Sequence, residues 1–124
     1  MLNLNSIMLG SDNPKALVVF YEKVLGKKPD WSEGDWGGFT CGSCFLTIGS
    51  HSKVKGKSQN PERVMLNFET IDVVEEFARI KKLGATVVAE PYNPDEKHKD
   101  MKIATFADPD GNFFQLMTPW KEEK

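Results

Sequence analysis

One order of elements occurs twice along this chain, and it constrains the fold more than any single motif. Residues 20–26 read FYEKVLG, and residues 77–84 read FARIKKLG, an offset of 57 to 58. Met8-Leu9 and Met65-Leu66 keep the offset of 57. Each echo ends an amphipathic helix that has one strand-like stretch before it and three after. The repeat rests on element order more than on shared letters.

Local chemistry sets the ends of both helices. Asn13-Pro14 reads as N-cap and first helical residue. Leu17, Phe20, Tyr21, Val24 and Leu25 follow as one apolar stripe, and Gly26 suits a left-handed end. The second helix starts near Asp72, with Glu75 completing an acidic version of the capping box. It buries Val73, Val74, Phe77, Ala78 and Ile80, and closes at Gly84. Strands are predicted over about 4–10, 29–33, 36–41 and 44–49, and again over about 64–69, 86–90, 102–107 and 113–117. The 124 residues suit a single domain. Its first module runs to about residue 52, a polar linker covers about 53–62, and a second module covers about 63–120.

Bulk properties exclude several classes. A net charge of −2 gives no general attraction to nucleic acid or anionic membrane. The longest apolar runs are a few residues, too short to cross a bilayer, and MLNLNSIML lacks the basic start of a secretory signal. The expectation is therefore a cytoplasmic protein with no nucleic-acid or membrane partner. Cys41 and Cys44 flank Gly42-Ser43, which reads as a two-residue hairpin turn with glycine first. They are expected to face each other as free thiols, since a zinc site wants four ligands. Lys53, Lys55 and Lys57 read as part of a solvated linker. NPDEKHKD, residues 93–100, reads as a surface loop or a lid. His51 and His98 fall in these polar stretches.

Strand residues alternate between faces, so the two parities must do different work. Ile7 and Leu9, and Val64, Leu66 and Phe68, are uniformly apolar and belong under the helices. Ser6, Met8 and Gly10, and Met65, Asn67 and Glu69, face the other way. The Gly42-Ser43 turn pairs Thr40 with Phe45 and Gly38 with Thr47. One hairpin face is then Phe39, Cys41, Cys44, Leu46 and Ile48; the other is Trp36, Thr40, Phe45 and Thr47. In the last strand Phe113, Gln115 and Met117 form the mixed set. Aromatic rings, thioethers, hydroxyls and amides together suit a small-molecule cavity.

SDNPKALVVFYEKVLG, residues 11–26, and ATFADPDGNFFQLM, residues 104–117, resemble the vicinal oxygen chelate superfamily. That group includes glyoxalase I, extradiol dioxygenases and bleomycin-resistance proteins. The resemblance implies an α+β fold of two βαβββ modules whose curved mixed sheets enclose a cavity, with helices on the outer faces. Its metal-dependent members place His, Gln or Glu ligands on the first, fourth, fifth and eighth strands. Those positions fall on Ser6, Thr47, Met65 and Gln115. Serine, threonine and methionine are poor donors to a divalent ion, and one glutamine cannot hold it. No metal cofactor is therefore expected. Asp108 and Asp110 read as turn-formers around Pro109 and Gly111.

The resulting expectation is a small-molecule ligand of aromatic or amphipathic kind. Met8, Trp36, Phe45, Met65 and Met117 would give contact area; Ser6, Thr47, Asn67 and Gln115 would orient the ligand. Glu69 is the candidate general base if the protein is instead a metal-free proton-transfer enzyme. A metal-dependent lyase or dioxygenase would need a displaced site, such as His51 with Glu69 or Glu90. An interaction module without ligand is the fourth reading. Family members often form homodimers, and a homodimer is expected here, with the first and fifth strands as edges that need partners or cover.

Overall fold

The computed structural model describes residues 1–120 and divides the chain into two compact units between Lys57 and Ser58. In the first unit the order is β1 (Ser6–Ser11), α1 (Pro14–Leu25), β2 (Trp31–Glu33), β3 (Trp36–Cys41) and β4 (Cys44–Ser50). In the second it is β5 (Leu66–Glu69), α2 (Val73–Lys82), β6 (Thr86–Tyr92), β7 (Ile103–Ala107) and β8 (Phe113–Met117). Each unit is a βαβββ module with a four-stranded mixed sheet, so the α+β class and the doubled order both hold.

Asn13 starts α1 as its chemistry requires. Its Oδ1 accepts from the Ala16 amide at 3.3 Å, Pro14 is the first helical residue, and Gly26 ends the helix at φ 69°. Leu17, Tyr21 and Val24 are buried. The helix lies close on β3, because a methyl at Gly37 would come within 2.9 Å of Val18. Asp72 caps α2 by accepting the Glu75 amide at 3.0 Å. The reciprocal arm of the expected capping box is absent: the Asp72 amide donates to Thr70 Oγ1 at 3.3 Å. Val73, Phe77 and Ile80 are buried as expected, but Val74 and Ala78 are exposed. The buried face follows spacings of four and three from Val73, and those two lie beside it. Gly84 follows the last turn at φ 96°.

The sheet orders are β1-β4-β3-β2 and β5-β8-β7-β6, open on both sides. Both pair first and fourth strands in parallel: Ser6 with Phe45, Leu66 with Phe114. The remaining pairs are antiparallel. β1 and β5 each lie at one end of their sheet, as expected. In unit 2 the Phe77 and Phe106 rings stack at 5.0 Å, and Phe106 and Phe114 at 5.5 Å. That column joins α2 to the sheet, and Phe106 and Phe114 are fully buried.

The fifth strand starts later than expected. Its paired part begins at Leu66, where β8 first reaches it, so Val64 and Met65 precede the ladder. Val64 is 68% exposed and does not lie under the helix. The polar stretch from 51 to 58 is tied down. Gly56 donates to Asp12 Oδ2 at 3.4 Å within unit 1, and Ser58 to the Asp110 carbonyl at 2.8 Å within unit 2.

Candidate functional site

In unit 1 the register collects the mixed parity onto one face. β1 sets Ser6 beside Phe45 and Met8 beside Thr47. β3 sets Thr40 beside Phe45 and Gly38 beside Thr47. β2 adds Trp31 opposite Gly38, and Glu33 opposite Trp36. Five of the residues singled out from sequence therefore share this face: Ser6, Met8, Trp36, Phe45 and Thr47.

Two glycines decide how the rings lie. A methyl built on Gly38 would sit 2.5 Å from Phe45 Cζ and 3.5 Å from Trp31. One built on Gly49 would sit 2.3 Å from the indole of Trp36. Both distances are far below van der Waals contact, so the Phe45 and Trp36 rings press on bare backbone. Glycine inside a strand commonly marks such a close approach. Met8 is 47% exposed and Trp31 42%. The face is thus an aromatic floor with Thr47, Thr40 and Ser6 as its hydroxyls. Trp31 was not expected there; its position opposite Gly38 follows only once β2 is paired.

In unit 2 the corresponding face holds Asn67 beside Gln115 and Glu69 beside Met117. Met65 lies just outside the strand and is exposed. β7 brings Thr105 opposite Gln115, and Gln115 Nε2 donates to Thr105 Oγ1 at 2.9 Å. That bond holds the Gln115 amide against β7. Thr105, buried, was missed in the sequence, although counting outward from the DPDGN turn would have found it. Glu69 is exposed at the end of β5.

The turn before β8 behaves as its letters imply. Asp108 Oδ1 accepts from the amides of Asp110 (2.9 Å) and Asn112 (3.0 Å), and Oδ2 from Asn112 Nδ2 (3.0 Å). Gly111 has φ 79°. Asp108 is buried and engaged in holding this turn.

The remaining candidates are local formers of structure. His51 is exposed, and its Nδ1 accepts the Lys53 amide at 3.1 Å. His98 is half-buried, with Nδ1 2.6 Å from Asp95 Oδ2 and its ring 5.5 Å from Trp120. The hydrogen bond from His98 holds the Asp95 carboxyl below its usual value. Cys41 and Cys44 are free and face each other across the turn, with Gly42 at φ 59°. Burial pushes the Cys41 thiol up, away from the reactive thiolate.

The four positions to which the resemblance carries metal ligands divide between the units, Ser6 and Thr47 in the first, Met65 and Gln115 in the second. Their hydroxyls, thioether and neutral amide do not fit a divalent ion. Among the described residues no group of three or more His, Cys, Asp or Glu side chains is gathered to hold one elsewhere.

The glyoxalase-like domain profile matches residues 6–117. This chain belongs to the glyoxalase-like domain family. Solved structures of the glyoxalase and resistance-protein kind share its fold. A glyoxalase/bleomycin resistance protein from Albidiferax ferrireducens T118 is 18% identical, with a TM-score of 0.73 over 93% of this chain and 98% of that one. A glyoxalase-related enzyme from Fulvimarina pelagi is 17% identical, with a TM-score of 0.74 over 96% and 89%. The fosfomycin resistance protein FosX from Mesorhizobium loti is 19% identical, with a TM-score of 0.63 over 97% and 92%. No functionally curated protein matches this glyoxalase-like chain. Among its described residues no helix is long and apolar enough to cross a membrane.

Proposed function

We propose that this glyoxalase-like protein binds a small aromatic or amphipathic molecule without a metal ion. The observation that carries the reading is the floor of unit 1, where Phe45 and Trp36 press on Gly38 and Gly49. Such a surface offers π-faces for stacking, the thioether of Met8 for adaptable contact, and Thr47 to orient a polar group. Proteins named for antibiotic resistance share this fold, and sequestration of the ligand is the role proposed here. The donor set at Ser6, Thr47, Met65 and Gln115 supports binding that does not pass through an ion. Edge strands β1 and β5 support the homodimer, whose mass by light scattering would be twice 14.0 kDa.

Two measurements test this. Protein purified without chelators is analysed for bound metals; stoichiometric zinc, nickel, iron or manganese overturns the metal-free reading. A library of aromatic compounds is then screened by thermal shift. A ligand at 100 times its dissociation constant stabilises the fold by about 2.7 kcal/mol. Trp36→Ala and Phe45→Ala are expected to weaken a hit at least tenfold, about 1.4 kcal/mol. A hit that binds both variants unchanged refutes the role of the floor.

A further inference from the structure

We propose that unit 2 carries a second binding site, for a small aromatic carboxylate, where the β6–β7 loop meets the chain leaving β8. A pocket of about 230 Å³ opens there between residues 97–101 and 118–120. Drug-sized ligands occupy roughly 300–1,000 Å³, so this volume suits a compound of one ring.

Both walls are held in place without a ligand. The Asn93 amide donates to the carbonyls of His98 and Met101, each at 2.9 Å, and its Oδ1 accepts from the Asp95 amide at 3.0 Å. Asp95 in turn accepts the Lys97 amide at 2.9 Å and the His98 ring at 2.6 Å. On the other wall Thr118 donates its amide to the Lys102 carbonyl at 3.1 Å, and its hydroxyl accepts the Lys102 amide at 3.0 Å. A loop of eight polar letters would ordinarily wander. This one is pinned through the side chains of Asn93 and Asp95, so little ordering is left for a ligand to impose.

The lining sets the chemistry. Trp120, Pro119 and Met101 present a ring and apolar surface, and Trp120 is 63% exposed. Lys97 and Lys99 bring two positive charges against the one negative charge of Asp100. The Asp95 carboxylate only accepts hydrogen bonds, which fixes the proton on His98 Nδ1. The Asp95 carboxylate is already engaged by His98 and the Lys97 amide, so the two lysine ammoniums call for an anionic group, and the apolar side calls for a ring attached to it. Lysine ammoniums serve a carboxylate as point charges.

The test uses the full chain, ¹⁵N-labelled, titrated with sodium benzoate. Saturable shifts are expected at the amides of 97–101 and 118–120, with a dissociation constant of roughly 1–10 mM, as so few heavy atoms allow. Benzyl alcohol, which keeps the ring and loses the charge, is expected to bind at least fivefold more weakly. Lys97→Ala/Lys99→Ala, at exposed positions, should weaken benzoate by fivefold or more with the fold's spectrum otherwise kept. Shifts confined to residues 8, 36, 45 and 47 would overturn this site while supporting the floor of unit 1. Equal binding by the double variant, or no saturation by about 50 mM, would also overturn it.

Discussion

Replacing Gly49 by alanine pits two effects of opposite sign against each other. Gly49 is not among the glycines with positive φ, so its backbone accepts alanine. Alanine in a strand interior is normally better than glycine by about 0.5–1 kcal/mol, because the unfolded chain has less freedom to lose. Here the added methyl would stand 2.3 Å from the Trp36 ring. The indole must retreat by about 1 Å or more, and such overpacking costs about 1–3 kcal/mol. The net expectation is a loss of about 1–2 kcal/mol. Urea unfolding followed by far-UV circular dichroism reads this as a midpoint lowered by roughly 0.5–1 M, for a slope near 2 kcal/mol per M. In a Trp36→Ala background the three nearest obstacles to the methyl are gone, and the same change should stabilise by about 0.5–1 kcal/mol. The coupling between the two positions is then about 2 kcal/mol. If Gly49→Ala raises stability while Trp36 is present, or acts alike in both backgrounds, the ring does not rest on that glycine and the floor is misread.

Other expectations follow from the turn and the surface acids. Asp108→Ala strands two amides and the Asn112 side chain in a half-buried turn, and is expected to cost about 2–3 kcal/mol in denaturant midpoint analysis, with Asp108→Asn costing less. Acid should lower the thermal midpoint. Asp30 is depressed by its hydrogen bond from Lys27 and then that from the Thr40 amide, Asp72 by the Glu75 amide, and Asp95 by His98. Each stabilises fully above its unfolded value, 3.8, and that stabilisation is lost as pH falls through the lower folded value, where the unfolded chain binds more protons. Glu75, raised by its hydrogen bond with Asp72 and then by that charge, has the opposite sign and offsets part of the loss below 4.5. Asp30→Asn should flatten the acid limb measured by thermal melts, and a limb unchanged in that variant refutes the assignment.

The parts of the fold that were legible are those set by neighbours in the chain. Asn13, Pro14 and Gly26 bound α1 because capping is a matter of a few adjacent residues. The Gly42-Ser43 turn fixed the β3–β4 register, and with it the shared face of Trp36, Phe45 and Thr47. What was not legible depends on partners distant in sequence. Val64 and Met65 alternate like a strand, yet the ladder starts only where Phe114 reaches Leu66. Val74 and Ala78 fit a generous apolar stripe, but the sheet beneath α2 covers a narrower one. Trp31 joins the floor through a three-residue strand too short to announce itself. Gly38 and Gly49 each make room for a ring from a neighbouring strand, which no local pattern announces. At the candidate site, side-chain parity was readable; the Gln115–Thr105 bond required the second hairpin's pairing as well.

The parallel pairing in each unit also bears on how the chain is made. Ser6 waits for Phe45 and Leu66 for Phe114, so a first strand emerges roughly 40 to 50 residues before its ladder partner exists. At about 5–20 residues per second, its amides and carbonyls stay unpaired for some seconds on the ribosome. Within each unit the helix and the antiparallel strands can assemble during that interval, and the opening strand is the last to dock.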